Sequence, residues 1–136
     1  MTKVYLYNLG MSEVDSQHHQ LEDKVADLEI LLENDSDNLI LREAWDKLAD
    51  LTINHFSYEE QLMAQFDYPA QEQEAHIKEH NDLLSNLNVL LKQWQHLDNH
   101  NKHSKIYSNI LNLWLHNHIL KQDTALVVHL NRKGQY

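Results

Sequence analysis

The sequence contains no cysteine, one proline and two glycines. The missing cysteine excludes disulfides, thiolate metal sites, iron–sulfur clusters and cysteine nucleophiles. Proline and glycine are the residues that most often interrupt regular structure at turns, and runs with the alternating pattern of a strand are missing as well. These absences favour long helices joined by few, short connections, and they predict an all-α fold.

Basic residues and long apolar runs are also scarce. Asp and Glu outnumber Lys and Arg by 21 to 11, which gives a formal net charge of −10. Because the basic residues are scattered, we expect no nucleic-acid partner and no membrane partner. No stretch approaches the roughly 18 apolar residues of a membrane span, and the N-terminus lacks the features of a secretory signal. We therefore expect one domain over residues 1–136, present as a monomer in the cytoplasm.

Apolar residues recur at spacings of three and four along most of the chain, which is typical of amphipathic helices. A first helix is expected from an N-cap at Asp15 or Ser16 to about residue 34. The polar segment 34–38 then predicts a turn that also caps a second helix. Residues 1–14 show no helical period, so we expect them to form an extended N-terminal arm.

The second half of the chain repeats this pattern. Pro69 suits the first turn of a third helix, where its missing N–H would have no partner in any case. A fourth helix is expected from about residue 104 to about 131, with Ala125 or Leu126 on its buried face. Four helices joined by short loops predict an antiparallel four-helix bundle that runs up, down, up and down.

Each predicted helix carries ionisable side chains on its apolar stripe. They are His18 on the first helix, His55 and Glu59 on the second, His76 and His80 on the third, and His118 and Asp123 on the fourth. Buried polar groups are destabilising without partners, and a metal centre would satisfy all seven together. Seven ligands are too many for one ion, so two ions bridged by the carboxylates are expected. Imidazole and carboxylate ligands suit iron, zinc, manganese or copper.

Asp123 poses a geometric difficulty for this metal centre. It follows His118 by five positions, which is about 140° around a regular α-helix. Asp123 can therefore reach the site only from the edge of the stripe or through a local widening of the helix, such as a π-bulge.

Four segments carry a resemblance to a known family. They are Val14-Asp15-Ser16-Gln17-His18, then His55-Phe56-Ser57-Tyr58-Glu59-Glu60-Gln61-Leu62-Met63 with Tyr68-Pro69, then His76-x-x-x-His80, and last Trp114-Leu115-His116-Asn117-His118-Ile119 with Asp123. With these segments in order, the chain resembles the hemerythrins in their single-domain bacterial form. The resemblance covers nearly the whole length. The sequence departs from the family pattern near the N-terminus, where the aromatic residue is Tyr5 or Tyr7 rather than Trp.

The resemblance implies a non-heme centre of two iron ions, Fe2+ or Fe3+, joined by a bridging oxo or hydroxo group. The resemblance also implies that this centre binds O2 reversibly. The implied ligands divide between the ions as His76, His80 and His118 for a six-coordinate iron, His18 and His55 for a five-coordinate iron that binds O2, and Glu59 and Asp123 as bridges.

The resemblance also implies an apolar pocket for O2, at the positions of Leu21, Phe56, Trp114 and Leu120. A dry pocket matters because water and protons promote the loss of bound oxygen as peroxide. We therefore expect a protein that carries, stores or delivers O2 and is not an enzyme. The alternatives are a di-iron enzyme that reduces peroxide or nitric oxide or donates iron, and an oxygen or redox sensor acting on a partner protein.

The helical period also predicts which polar neighbours of the ligands lie outside the site. His19, His116 and Glu60 are one or two positions from a ligand, so their side chains are expected to turn toward solvent.

Overall fold

The computed structural model describes residues 12–33, 37–96 and 106–133, and every regular element in those ranges is helical. The elements are α1 (Ser12–Glu33), α2 (Asn38–Gln65), α3 (Ala70–Gln95), α4 (Ile106–His118), a π-helical turn (Ile119–Asp123) and α5 (Thr124–Arg132). The last three continue one another and form the fourth helix of a bundle. The all-α prediction is confirmed. Residues 1–11 of the predicted N-terminal arm lie outside the described residues, and residues 12–14 are helical rather than extended. Within the described ranges, no helix has the length and apolar character needed to cross a bilayer.

Helix α1 begins at Ser12, so the predicted start at Asp15 or Ser16 was wrong. Glu13 and Asp15 lie in its first turn, where carboxylates interact favourably with the helix dipole. Val14 is fully buried against the end of the bundle. Burial of this side chain and the acidic first turn together explain why the helix extends beyond the expected cap.

A tight turn at residues 66–69 joins α2 to α3. Asp67 has a positive φ of 54°, a left-handed conformation that aspartate tolerates better than most residues. Pro69 occupies the N-cap of α3, one position before the first turn in which it was expected. Its carbonyl accepts a hydrogen bond from the Gln73 N–H at 2.8 Å, so the helix begins directly after it. The short turn brings α3 back alongside α2.

Contacts between the helices show that neighbours in the chain run in opposite directions. At one end, Gln17 early in α1 lies 2.7 Å from His55 late in α2. At the other end, the ring of Trp45 early in α2 lies 6.1 Å from the ring of Trp94 late in α3. The same Trp45 ring lies 6.2 Å from Tyr107 early in the fourth helix. The predicted alternation of up and down helices is therefore confirmed.

Two apolar clusters fill the core of the bundle. The larger, the tryptophan cluster, consists of Leu21, Val25, Leu28, Leu32, Leu41, Trp45, Leu48, Leu87, Leu90, Trp94, Tyr107 and Leu111. The smaller, the end cluster, consists of Val14, Leu62, Met63, Tyr68, Leu126, Val127 and Leu130. Between them on every helix lies a polar layer, made of His18, His55, Glu59, His76, His80, His118 and Asp123. The fold thus places one polar slab within an otherwise apolar interior.

Candidate metal centre

Five buried histidines direct the same ring nitrogen, Nε2, toward a common point in the polar layer. They are His18, His55, His76, His80 and His118. Each Nε2 lies 2.7–3.2 Å from a carboxylate oxygen of Glu59 or Asp123. None of these seven side chains is more than 2% exposed. The structure therefore brings together all seven residues that the sequence analysis selected.

Glu59 lies at the centre of this arrangement. It stands one turn after His55 on α2, so the two side chains share a face. Its Oε1 lies 3.2 Å from Nε2 of both His55 and His80. The same oxygen lies 3.7 Å from Nε2 of His76 and of His118. Glu59 therefore faces histidines from three helices at once.

Asp123 divides its two oxygens between two sets of histidines. Oδ2 lies 2.7 Å from His18 Nε2 and 3.3 Å from His55 Nε2. Oδ1 lies 2.9 Å from His118 Nε2 and 3.1 Å from His76 Nε2. A carboxylate in this position can bridge two neighbouring cations.

The π-helical turn explains how Asp123 reaches the layer. Residues Ile119–Asp123 are wound more widely than an α-helix, and the hydroxyl of Thr124 donates to the Ile119 carbonyl at 3.0 Å. The extra residue in this turn carries Asp123 onto the face of His118, as the spacing of five had indicated. The sequence had left open whether Ala125 or Leu126 faces the core. After the π-helical turn, Leu126 is buried and Ala125 is exposed.

The seven donors form two overlapping groups that could each hold a cation. The ligand atoms within each group all lie within 4.8 Å of one another. The larger group, the three-histidine subsite, consists of Glu59, His76, His80, His118 and Asp123; the smaller, the two-histidine subsite, consists of His18, His55, Glu59 and Asp123. The two carboxylates belong to both groups, and the histidines are grouped as the family resemblance implies.

The chemistry of these donors fits metal ions. The Nε2 atoms of His18 and His55 lie only 3.1 Å apart, a close pairing of two nitrogens that a shared cation would stabilise. Glu59 Oε2 is buried and has no hydrogen-bond partner among the described residues. Imidazole and carboxylate donors without sulfur match first-row transition metals.

Without ions, the buried carboxylates favour protonation of His55, His76 and His118, whose pKa values are all raised. Burial alone would lower the pKa of His55, but the charge of Glu59 and hydrogen bonds to both carboxylates raise it to about 9. Burial also opposes protonation of His118, yet the charge of Asp123 helps raise its pKa to about 12. Burial would raise the pKa of Glu59 and Asp123, but the histidines hold both below their usual values. Cations would take the place of these protons.

An apolar cavity of about 60 Å³ opens beside the polar layer. His55 and His118 lie at its polar end. The remaining lining residues are Leu21, Val25, Leu48, Thr52, Phe56, Leu83, Leu87, Leu111, Trp114 and Leu115. Three of the four predicted pocket residues therefore line this cavity, and the side chain of Leu120, the fourth, lies outside the described part of the chain.

Comparison with known proteins agrees with this geometry. A family model described as the hemerythrin HHE cation binding domain matches residues 9–130. The chain belongs to the hemerythrin family. It is similar to a bacteriohemerythrin of Stenotrophomonas maltophilia (strain R551-3), with 26% identity over 129 residues, covering 92% of this chain and 80% of that protein. It is also similar to a bacteriohemerythrin of Pseudomonas aeruginosa (strain LESB58), with 27% identity over 120 residues, covering 88% and 74%.

In this hemerythrin domain, the outer ring nitrogens of three histidines are held by side chains that the sequence analysis missed. His118 Nδ1 lies 2.7 Å from Glu79 Oε1, and His55 Nδ1 lies 2.7 Å from Gln17 Oε1. The hydrogen bond from His118 lowers the pKa of Glu79, which keeps that carboxylate ionised. Such partners fix the orientation of a ligating ring.

Glu60 is the third of these partners, and its predicted orientation toward solvent was wrong. Its Oε2 lies 3.2 Å from His80 Nδ1, and its side chain is 35% exposed. Glu60 sits at the interface of α2 and α3, where a position adjacent to Glu59 can still reach a ring on the neighbouring helix. A contact of this kind depends on how two helices pack, so the spacing of residues along a single helix does not reveal it.

The histidines next to ligands lie outside the metal groups among the described residues. His116 is exposed, as predicted, and His19 is half-buried. The aromatic ring of Phe56 instead packs on the site, stacked on His80 with ring centroids 3.9 Å apart and planes 7° apart. Phe56 therefore both lines the cavity and restrains the ring of a candidate ligand.

Proposed function

We propose that the polar layer holds two iron ions and that the domain binds O2 reversibly. His76, His80 and His118 would hold one ion and His18 and His55 the other, with Glu59, Asp123 and an oxo or hydroxo group between them. When bound, the iron pair supplies the electrons that reversible O2 binding requires. The family membership and the two overlapping donor groups support this assignment.

The apolar cavity is the observation that carries the proposal of O2 as the ligand. It ends at His55 of the two-histidine subsite and His118 of the three-histidine subsite, and the two-histidine subsite has fewer protein donors than the other. Its volume of about 60 Å³ leaves room for a small molecule. A cavity that takes benzene measures about 150 Å³. The size and the apolar walls therefore favour a small, uncharged ligand.

The walls of the cavity would also keep protons away from a bound ligand. Thr52 offers the only hydroxyl among the described lining residues, and it donates to the Leu48 carbonyl at 2.7 Å. With this hydrogen bond formed, the hydroxyl proton is held against the backbone of α2. Exclusion of water and proton donors favours recovery of intact O2 over its reduction. On this ground we propose a binding function rather than catalysis.

Mixing the Fe2+-loaded chain with O2 and then flushing with argon tests the proposal. We expect a coloured adduct that forms rapidly and fades to the starting spectrum when O2 is removed. Immediate conversion to an Fe3+ form from which no O2 can be recovered would contradict reversible binding. Sustained turnover of peroxide or nitric oxide with a reductant would instead support an enzyme.

A matched pair of variants on α4 tests the role of the cavity. Leu111 lines the cavity, whereas Leu113 is 59% exposed on the opposite face of the helix. Leu111→Asn introduces a proton donor and room for water, so the adduct should decay faster to the Fe3+ form. Leu113→Asn should leave the decay rate unchanged. Equal decay rates in the two variants would show that the cavity does not protect the ligand.

A further inference from the structure

The outer nitrogens of the candidate ligands meet chemically different partners in the two subsites. In the three-histidine subsite, His118 and His80 face the carboxylates of Glu79 and Glu60, at 2.7 Å and 3.2 Å. In the two-histidine subsite, His55 faces the neutral amide of Gln17 at 2.7 Å. Each subsite also has one ring whose Nδ1 lacks a hydrogen-bond partner among the described residues, His76 in the three-histidine subsite and His18 in the two-histidine subsite.

A carboxylate partner changes what an imidazole can do for a cation. It orients the ring, makes the inner nitrogen a stronger electron donor, and adds negative charge a few ångströms from the metal. A neutral amide orients the ring but adds no charge. Loss of such an outer contact commonly weakens metal affinity by about 10–100-fold. The three-histidine subsite therefore has the stronger donors.

The number of donors points the same way. The three-histidine subsite offers three imidazoles and the two-histidine subsite offers two, while Glu59 and Asp123 are common to both. The first ion to arrive therefore finds the larger set and has both carboxylates to itself. A second ion must share those carboxylates and bind next to a positive charge.

We propose that the two subsites load in a fixed order, with the first ion bound by the three-histidine subsite and the second by the two-histidine subsite. Glu79 and Glu60 are the positioning residues that set this order through His118 and His80. The proposal rests on the two-metal site of the proposed function and adds to it which subsite is filled first and why.

Titration of the metal-free chain with Co2+ in the presence of a competing chelator tests the order. The wild-type chain should bind two ions in two resolved steps, and the visible spectrum of Co2+ reports the coordination of each. His80→Ala should remove the tighter step. His18→Ala should retain the tighter step and remove the weaker one.

Substitution of the outer partners separates charge from geometry. Glu79→Gln keeps an oxygen acceptor for His118 but removes the charge, so the affinity of the first step should fall on the order of tenfold with the second step unchanged. Glu60→Gln should act in the same direction. Gln17→Glu is the matched opposite change, and it should raise the affinity of the second step by a similar factor.

The results of this titration separate the inference from the proposed function. If Glu79→Gln weakens both steps alike or neither, or if Gln17→Glu leaves the second step unchanged, the loading order is wrong. A wild-type chain that binds fewer than two ions overturns both the order and the di-iron proposal. Two ordered ions in a chain that never releases O2 would overturn only the oxygen-binding function.

Discussion

The tryptophan cluster and the polar layer occupy neighbouring lengths of the same four helices, and they contribute to the fold in opposite ways. The tryptophan cluster buries twelve largely apolar side chains, whose removal from water stabilises the bundle whether or not metal is bound. The polar layer buries two carboxylates and five imidazoles, whose removal from water is unfavourable unless charges or cations compensate. The tryptophan cluster therefore stabilises the bundle without a ligand, whereas the polar layer reaches its most stable state only with bound cations.

The largest expected effect comes from removing the carboxylate shared by both subsites. Glu59→Ala takes a ligand from each group and leaves Nε2 of His55 and of His80 without its nearest carboxylate oxygen, so bound metal should fall from two ions per chain to a negligible amount. Metal analysis of the purified chain after dialysis measures this.

His116→Ala is the control for that substitution. His116 is exposed on the fourth helix, two positions from a candidate ligand, so its loss should leave two ions per chain. Equal metal loss in the two variants would show that the inward and outward faces of the helices are assigned wrongly.

A cavity in the tryptophan cluster should affect stability and leave the metal in place. Leu28 is fully buried, so Leu28→Ala should lower the free energy of unfolding by about 2–5 kcal/mol. Chemical denaturation measures the change in both metal-loaded and metal-free chains, and the two changes should agree. Ile30→Ala, at a side chain that is 52% exposed, should change stability by less than about 0.5 kcal/mol. A loss of metal in Leu28→Ala would show that the two regions are coupled.

Removal of the ions should lower the stability contributed by the polar layer and leave the helices formed. Metal at 100 times its dissociation constant stabilises the folded state by about 2.7 kcal/mol, so chelation should lower the unfolding midpoint. Circular dichroism should nevertheless show that most helical signal is retained, because the tryptophan cluster is unchanged. Loss of the helical signal on chelation would contradict the independence of that cluster.

The smallest effect is expected from shortening the π-helical turn. Deletion of the exposed Lys121 places Asp123 four positions after His118, only about 40° away on a regular α-helix. The carboxylate should stay in the layer, and metal analysis should still find two ions per chain. A deletion that abolishes metal binding would show that the widened turn does more than bring Asp123 to the right face.

Much of the fold and of the candidate site followed from the sequence because each inference concerned one helix at a time. His55 and Glu59 share a stripe with leucines, and that spacing alone turns both inward. The five-residue spacing of His118 and Asp123 was enough to expect a widened turn. The polar segment before α2 likewise gave a cap, since Asp37 accepts a hydrogen bond from the Leu39 N–H at 3.0 Å.

The features that the sequence did not reveal are those that need two helices to be placed together. Gln17, Glu60 and Glu79 reach histidines that are 20–39 positions away in the chain. No periodicity within one helix relates such positions, and each residue would look equally suited to a solvated face. The early start of α1 has a similar cause, because Val14 packs against residues from α2 and the fourth helix.

The hydrogen bond between His18 and Asp123 joins positions 105 residues apart. If both hold metal, the ions fasten the first helix to the last and close a loop that contains most of the chain. In a chain-entropy description, a covalent link closing a loop of about 100 residues stabilises a protein by about 4.7 kcal/mol, chiefly by restricting its unfolded state. A chain without cysteine would thus acquire from its metal the kind of cross-link that other small proteins form with a disulfide. This link between the first and fourth helices could form only after the fourth helix has been synthesised.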